Sequence, residues 1–461
     1  MAKRKSSVYQ SEEVFGEKQS AELCDRLTAF LAELLIRLDA QVDKRLVRTF
    51  LRTIIVILLF RHRQYGLLLS ELGGYILPPD QAPAGTKRLS NLLRSEKWGS
   101  ELIVNYLWEQ ADQREVELRL AGEDGLVVWD ESELEKPESI ALEGLSPVRS
   151  SRAARLKRIK PGYYNPPGGR PIFVPGMHWI GLLLMGRSGP PTVATMRWWR
   201  SRGPEASDKR TEEKALLKQV AQRWKGQVIH VWDRGFAGEP WLTEVAQSPE
   251  LRFVLRWPKG YKLTDTNGNS QLAWKICQGK RSLDFRLLRD ARRNELRKYG
   301  LYYTPVSHPA YPRPLFLVVA RPGQGHSPWY LLTNEPLSNH DHAWRIILAY
   351  ARRWQIEMAF RYTKSELAFE SPRLWLWDNR LKLLFLATLA YAFLLSLLNP
   401  HCLDLRTQLL QHWCHRTGKR CNQAATPLYR LRSAIARLWL AFDPGHPHLD
   451  FLYSSPKQNS G

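Results

Sequence analysis

The stretch that decides the reading is 344–375, WRIILAYARRWQIEMAFRYTKSELAFESPRLW. It has no glycine and no proline before Pro372, so the sequence predicts a long helix. At 100° per residue, Tyr350, Arg353, Glu357 and Lys364 fall within one stripe roughly 60° wide. A phenol, a guanidinium, a carboxylate and an ammonium therefore share a face, while Ile346, Ile347, Met358 and Phe360 cover others. Two readings of that face stand side by side. Arg353 and Glu357 make an ordinary i,i+4 surface pair worth roughly 0.2–0.5 kcal/mol, or the carboxylate binds a metal between two phosphate-binding cations. The rest of the chain has to decide.

Composition narrows the partners. A chain of 461 residues with 44% hydrophobic and 25% charged residues can fold around a sizeable core. Its 68 Lys and Arg against 45 Asp and Glu leave a net charge of +23, which points to a polyanion, nucleic acid before membrane surface. The five cysteines are odd in number and lack CxxC spacing, so neither a disulfide framework nor a zinc site follows, and a reducing cytoplasm fits. The N-terminus lacks the apolar segment of a signal peptide. The uncharged run 383–398 falls short of the roughly 20 residues a membrane span needs and reads as a buried core helix, so no membrane is expected.

Taken in order, residues 20–118 have helical apolar spacing, interrupted by Gly/Pro punctuation at 73–87. Ser90 and Asn91, near Arg88, Arg94 and Lys97, suit phosphate contacts, and a helical DNA-binding region over 1–120 is expected. At 121–130, AGEDGLVVWD reads as a turn and a short strand ending on Asp130, a carboxylate that either carries chemistry or opens a turn. A basic run follows, Arg149 to Lys160, suited to a solvated face or to an arm on a phosphate backbone. Next come a hairpin (171–185 and 191–199), an amphipathic helix near 208–225, and VIHVWDRGFAG, a second strand ending in an acid, Asp233. A helix (239–247) and the strand RFVLRW complete an α/β layer with a mixed sheet, an order that allows the first and fourth strands to lie side by side and bring Asp130 and Asp233 together. Residues 258–328 read as a β-rich insertion, WYLLTN at 329–334 leads back to the long helix, and a helical, basic region covers 401–461.

Three acids in this order, two at strand ends and one on a helix, resemble the layout of a ribonuclease H-like nuclease core. Tyr350, Arg353, Glu357 and Lys364, spaced Tyr-x2-Arg-x3-Glu-x6-Lys, resemble the signature of a large family of bacterial insertion-sequence DDE transposases. WDRGF around Asp233 is similar to that family's second-acid motif, and WDESELEKPES around Asp130, more loosely, to its first. The resemblance covers about 121–400. It implies a ribonuclease H-like mixed sheet flanked by helices, split into 121–257 and 329–400 by the insertion. It further implies that Asp130, Asp233 and Glu357 are the catalytic acids and hold Mg²⁺, with Mn²⁺ able to substitute. Tyr350, Arg353 and Lys364 would grip DNA phosphates. Trp329 would be an insertion-domain platform for a flipped base, although a chain with 18 Trp also places such residues in its core. The implied activity is cut-and-paste transposition at terminal inverted repeats of double-stranded DNA, by a homodimer, in a bacterial cytoplasm. The alternatives are a derivative that binds DNA without transposing and a basic scaffold that binds nucleic acid by charge alone.

Overall fold

The structure, a computed structural model, describes residues 2–137, 139, 141–150, 172–290, 295–323, 325–414 and 428–445. Six helices come first: α1 (Ala2–Phe30), α2 (Ala32–Asp39), α3 (Lys44–Leu59), α4 (Leu69–Ile76), α5 (Ala82–Arg94) and α6 (Glu101–Leu120). Asp43 starts α3 by accepting from the backbone N–H of Arg45 and Leu46 at 2.8 and 3.1 Å. The Gly/Pro punctuation at 73–87 proves mostly helical, leaving only 77–81 between α4 and α5. Pro83 lies in the first turn of α5, where a missing N–H costs nothing. Gly73 and Gly85 are the contact between the two helices: a Cβ on Gly85 would meet the Gly73 carbonyl oxygen at 2.1 Å.

The chain then builds β1 (Gly125–Glu135), β2 (Ser146–Arg149), β3 (Phe173–Met185), β4 (Thr192–Trp199), α7 (Lys209–Trp224), β5 (Val228–Trp232), α8 (Glu239–Ala246) and β6 (Arg252–Arg256). β3 pairs antiparallel with β1, β4 and β2, while β5 runs parallel to both β1 and β6. The spatial order β4-β3-β1-β5-β6 is three antiparallel strands followed by two parallel ones, a ribonuclease H-like mixed sheet flanked by helices. The segment read as an insertion continues this sheet instead of folding apart from it. It supplies β7 (Lys262–Thr264), β8 (Ser270–Leu272), the short α9 (Ala273–Ile276), β9 (Asp284–Asp290), β10 (Glu295–His308) and β11 (Tyr311–Arg321). β12 (Trp329–Thr333) then joins β6 to β11, so the described sheet has twelve strands.

The helices after the sheet are α10 (His340–Ala351), α11 (Trp354–Ser365), α12 (Trp377–Ser396), α13 (Leu403–His412) and α14 (Leu428–Ala441). The long helix expected over 344–375 is thus two helices with a tightened joint. Arg353 donates its backbone N–H to Tyr350 and Gln355 to Arg352, bonds of three-residue span, and the chain stays right-handed through Arg352 and Arg353. Helix ends at Ser365, and Ala368 takes a positive φ of 53°. α12 is long and apolar enough to cross a membrane, yet 89% of its apolar window is buried inside the protein.

Side chains alternate across the sheet and feed two cores. Leu126 and Val128 of β1, with Ile229 and Val231 of β5, face the core that holds α3, α11 and α12. Val127, Trp129, Val228 and Trp232 face the other, shared with α7 and α8. The same period of two sends Asp130 and Asp233 towards the α11 side. Gly181, which pairs with Asp130 across β1 and β3, lets α11 press onto the sheet there. A Cβ on Gly181 would meet Phe360 and Ile356 at 2.7 and 2.9 Å. Gly181→Val is therefore expected to lift α11 from the sheet, costing about 1–3 kcal/mol in urea unfolding. If Glu357 works in the role proposed below, turnover should fall about 100-fold, because displacing a reacting group by an ångström is enough for that.

Candidate active site

Parallel pairing of β1 and β5 ends at Val128–Val231, so the acids stand just beyond that pairing, at the rim where two parallel strands part. Asp233 follows β5 directly and caps a 3₁₀ turn, accepting from the Arg234 N–H at 2.6 Å. Asp130 is not a strand end as read from sequence: β1 runs on to Glu135, held by β3 alone. Glu357 comes from the first turn of α11. Three separate elements thus deliver three carboxylates to one place.

What they converge on is Arg353. Its guanidinium lies 3.3 Å from Asp130 Oδ2 and 4.0 Å from Asp233 Oδ2, and it donates to Glu357 Oε1. The simple i,i+4 surface pair is therefore only part of the picture: one cation bridges three acids, its side chain 12% exposed. Burial pushes the Asp130 carboxyl up to about 6, Arg353 opposes that, and the charges of Asp233 and Glu357 add to it. Among the described residues no three His, Cys, Asp or Glu side chains are spaced to hold a metal ion as they stand. The guanidinium takes the position that their combined negative charge favours for a cation.

Tyr350 closes one side, its hydroxyl donating to Asp233 Oδ1 at 3.5 Å and its pKa raised chiefly by burial. Trp329 packs edge-on against Tyr350, with ring centroids 5.3 Å apart, and against Tyr299 at 5.7 Å. It is half-buried, in the aromatic wall of the site. Lys364 lies two turns beyond Glu357, with its ammonium 5.8 Å from the Trp179 ring centroid.

Comparison with known proteins bears on this geometry. Residues 203–393 match the family model described as the transposase DDE domain. That stretch is similar to a transposase catalytic domain. It spans under half of the chain and includes Asp233 and Glu357, with Asp130 before it. No curated protein matches the chain. Among solved structures, the cryo-electron microscopy structure of the piggyBac transposase synaptic complex with hairpin DNA is 12% identical, covering 97% of this chain and 86% of that one. The TM-score is 0.37, a superposition too loose to carry an argument.

The sequence reading missed Arg256. Its guanidinium sits 5.9 Å from the Trp329 ring centroid and 5.6 Å from that of Tyr350, donates to the Pro328 carbonyl at 2.9 Å, and feels the charges of Asp233 and Arg353. The available signal was its place near the end of the strand RFVLRW; the structure pairs β5 and β6 in parallel up to Trp232–Leu255, so the next residue of β6 falls beside Asp233. In the basic run, Arg152, Arg155, Lys157, Arg158 and Lys160 lie outside the described residues.

Proposed function

We propose that this protein is a DDE transposase that cuts DNA phosphodiesters at the terminal inverted repeats of its own insertion sequence and joins the freed ends to target DNA. One observation carries the reading: Asp130, Asp233 and Glu357, from three elements of a ribonuclease H-like sheet, gather around a single cation in a chain of net charge +23. A DNA-binding scaffold acting by charge alone gives no reason for three carboxylates to converge in a basic chain.

The donor set fits Mg²⁺ or Mn²⁺: carboxylate oxygens suit hard divalent ions, and the cluster already binds one positive group. Asp130, Asp233 and Glu357 would hold the ions, which supply an activated oxygen nucleophile and charge stabilisation on the leaving oxygen. The remaining work falls to the chain. Arg353, bidentate by nature, and Lys364 grip phosphate oxygens beside the scissile bond. Tyr350 orients Asp233 through its hydroxyl. Trp329 offers a stacking face for an unpaired base, worth about 1–3 kcal/mol. The protein works as a homodimer on paired ends, in a bacterial cytoplasm. The test is excision in cells, using a plasmid marker flanked by the native DNA that borders the gene. The wild type should release the marker, Asp233→Asn should not, and equal release by both would refute the proposal.

The pH dependence has a definite sign. The Asp130 carboxyl, at about 6 in the fold against an ordinary 3.8, favours its protonated form, so its contribution to stability is full below pH 3.8 and is lost as pH rises through 6. Asp130→Asn should thus raise the melting temperature of the metal-free protein at pH 7.5 and leave it nearly unchanged at pH 3.5. The proton also competes with any bound cation. Affinity for Mg²⁺ in calorimetry is expected to rise by up to about ten-fold per pH unit towards pH 6 and then level off.

A further inference from the structure

On the face of the sheet opposite α11, the N-terminal end of α7 carries a chain of charges. Glu213 lies on the inward stripe with Leu216 and Leu217 and is fully buried. Its Oε2 accepts from Arg210 Nη1 at 2.7 Å, and its Oε1 lies 3.9 Å from Lys209 Nζ. Both cations reach onward. Arg210 donates through Nη2 to the Gly235 carbonyl at 3.0 Å, in the turn that Asp233 caps. Lys209 donates to Glu131, the residue after Asp130, whose side chain the period of two turns to the α7 side. Asp208 fixes the helix start from which both cations project. It accepts from the Arg210 and Thr211 N–H groups at 2.8 and 3.2 Å and from Thr211 Oγ1 at 2.7 Å.

Pairing of β1 with β5 ends at Val128–Val231, two residues short of each acid. Beyond that point the ladder no longer sets the distance between the Asp130 and Asp233 backbones, yet two ions about 3.5–4 Å apart tolerate little drift between the groups that hold them. The charges behind the sheet span this gap. Burial works against such an arrangement: it pushes the Glu213 carboxyl up to about 7, Arg210 and Lys209 oppose that, and Glu131 adds to it. A carboxylate buried at that cost, with a cation on either side leading to an acid-bearing segment, has more to do than start a helix. We infer that Glu213 is a positioning residue for strand cleavage: through Arg210 and Lys209 it ties the Asp233 turn to the strand of Asp130 and holds the two carboxylates at the spacing their ions require. The inference rests on the reading of the protein as a DNA-cutting enzyme and adds to it the part that keeps two of its acids in register.

The full chain carrying Glu213→Gln, Arg210→Met or both tests this at pH 8.5, where Glu213 is ionised. Glu212→Gln is the control, since its carboxylate is one residue away and pairs instead with Arg197 of β4. Glu213→Gln and Arg210→Met should each slow Mg²⁺-dependent nicking at saturating duplex about ten- to a hundred-fold, and weaken Mg²⁺ binding in calorimetry by a similar factor. Duplex affinity, read by anisotropy, should stay at the wild-type value, and Glu212→Gln should match the wild type throughout. The double variant should be no slower than the slower single one, because both changes cut the same link. A carboxyl whose pKa is raised on folding loses stability once it ionises, so Glu213→Gln should melt no lower than the wild type at this pH. Arg210 is exposed, so its truncation leaves the fold intact and tests the link from the other end. Wild-type nicking and Mg²⁺ affinity in Glu213→Gln overturn the inference. So do additive losses in the double variant, or a loss of rate that follows a lower melting temperature or weaker duplex binding. A wild type that does not nick duplex DNA with Mg²⁺ removes the functional reading, and the inference falls with it.

Discussion

Glu357→Gln is expected to abolish DNA strand cleavage, by about 10³-fold or more, and to leave DNA binding and the melting temperature close to wild type. Removing one preorganised charge from a reacting centre costs about 3–4 kcal/mol of barrier, and a metal-holding carboxylate is at least that important. The fold should tolerate the change because Glu357 stands in the first turn of α11 with a third of its side chain exposed, and glutamine can still accept from Arg353. Gel analysis of an end-labelled duplex gives the cleavage rate, and anisotropy gives the affinity. Equal loss of both would make Glu357 a structural residue, its charge serving only to hold Arg353.

Arg432→Leu is the substitution expected to unfold the protein most readily. This guanidinium is almost completely buried on α14 and donates to the carbonyls of Leu58 at 3.2 Å and Phe60 at 2.8 Å, and to those of Ile57 and Glu366. It thereby satisfies the free carbonyl ends of both α3 and α11, where the helix dipoles also favour a cation. Leucine would leave four carbonyls short of a donor, at roughly 1–3 kcal/mol each before relaxation. A net loss of about 3–5 kcal/mol in urea unfolding follows, the range for breaking a buried charged network. Because the same arginine ties the end of the Glu357 helix to the N-terminal helices, the two regions should unfold together. A variant within 1 kcal/mol of wild type would show that water can replace the guanidinium there.

Much of this was legible in the chain because periodicity and strand-end chemistry are local signals. The apolar runs at 126–129 and 228–232 are β1 and β5, and their parallel pairing is what places Asp130 near Asp233. The Tyr-Arg-Glu stripe survived even though its helix is jointed, since the joint at Arg352 and Arg353 keeps a right-handed backbone. The misreadings were tertiary in origin. Gly73 and Gly85 looked like loop punctuation but are where two helices touch, a use of glycine that a single sequence does not reveal. Asp130 looked like a strand end because the apolar run of 126–129 stops there, while antiparallel pairing to β3 carries β1 five residues further. What the sequence did not reveal was the place of Arg353 among all three acids, which depends on side chains meeting from three elements and is not encoded by spacing along one helix.

The most direct test of the central claim is cleavage of an end-labelled duplex spanning the native DNA border of the gene, with Mg²⁺ or with excess chelator, by wild type and by Asp130→Asn and Asp233→Asn. The account predicts Mg²⁺-dependent nicking at one position that leaves a 3′-hydroxyl, lost with chelator and in either variant while binding persists. Nicking that continues in chelator, or that either variant performs at the wild-type rate, would contradict it.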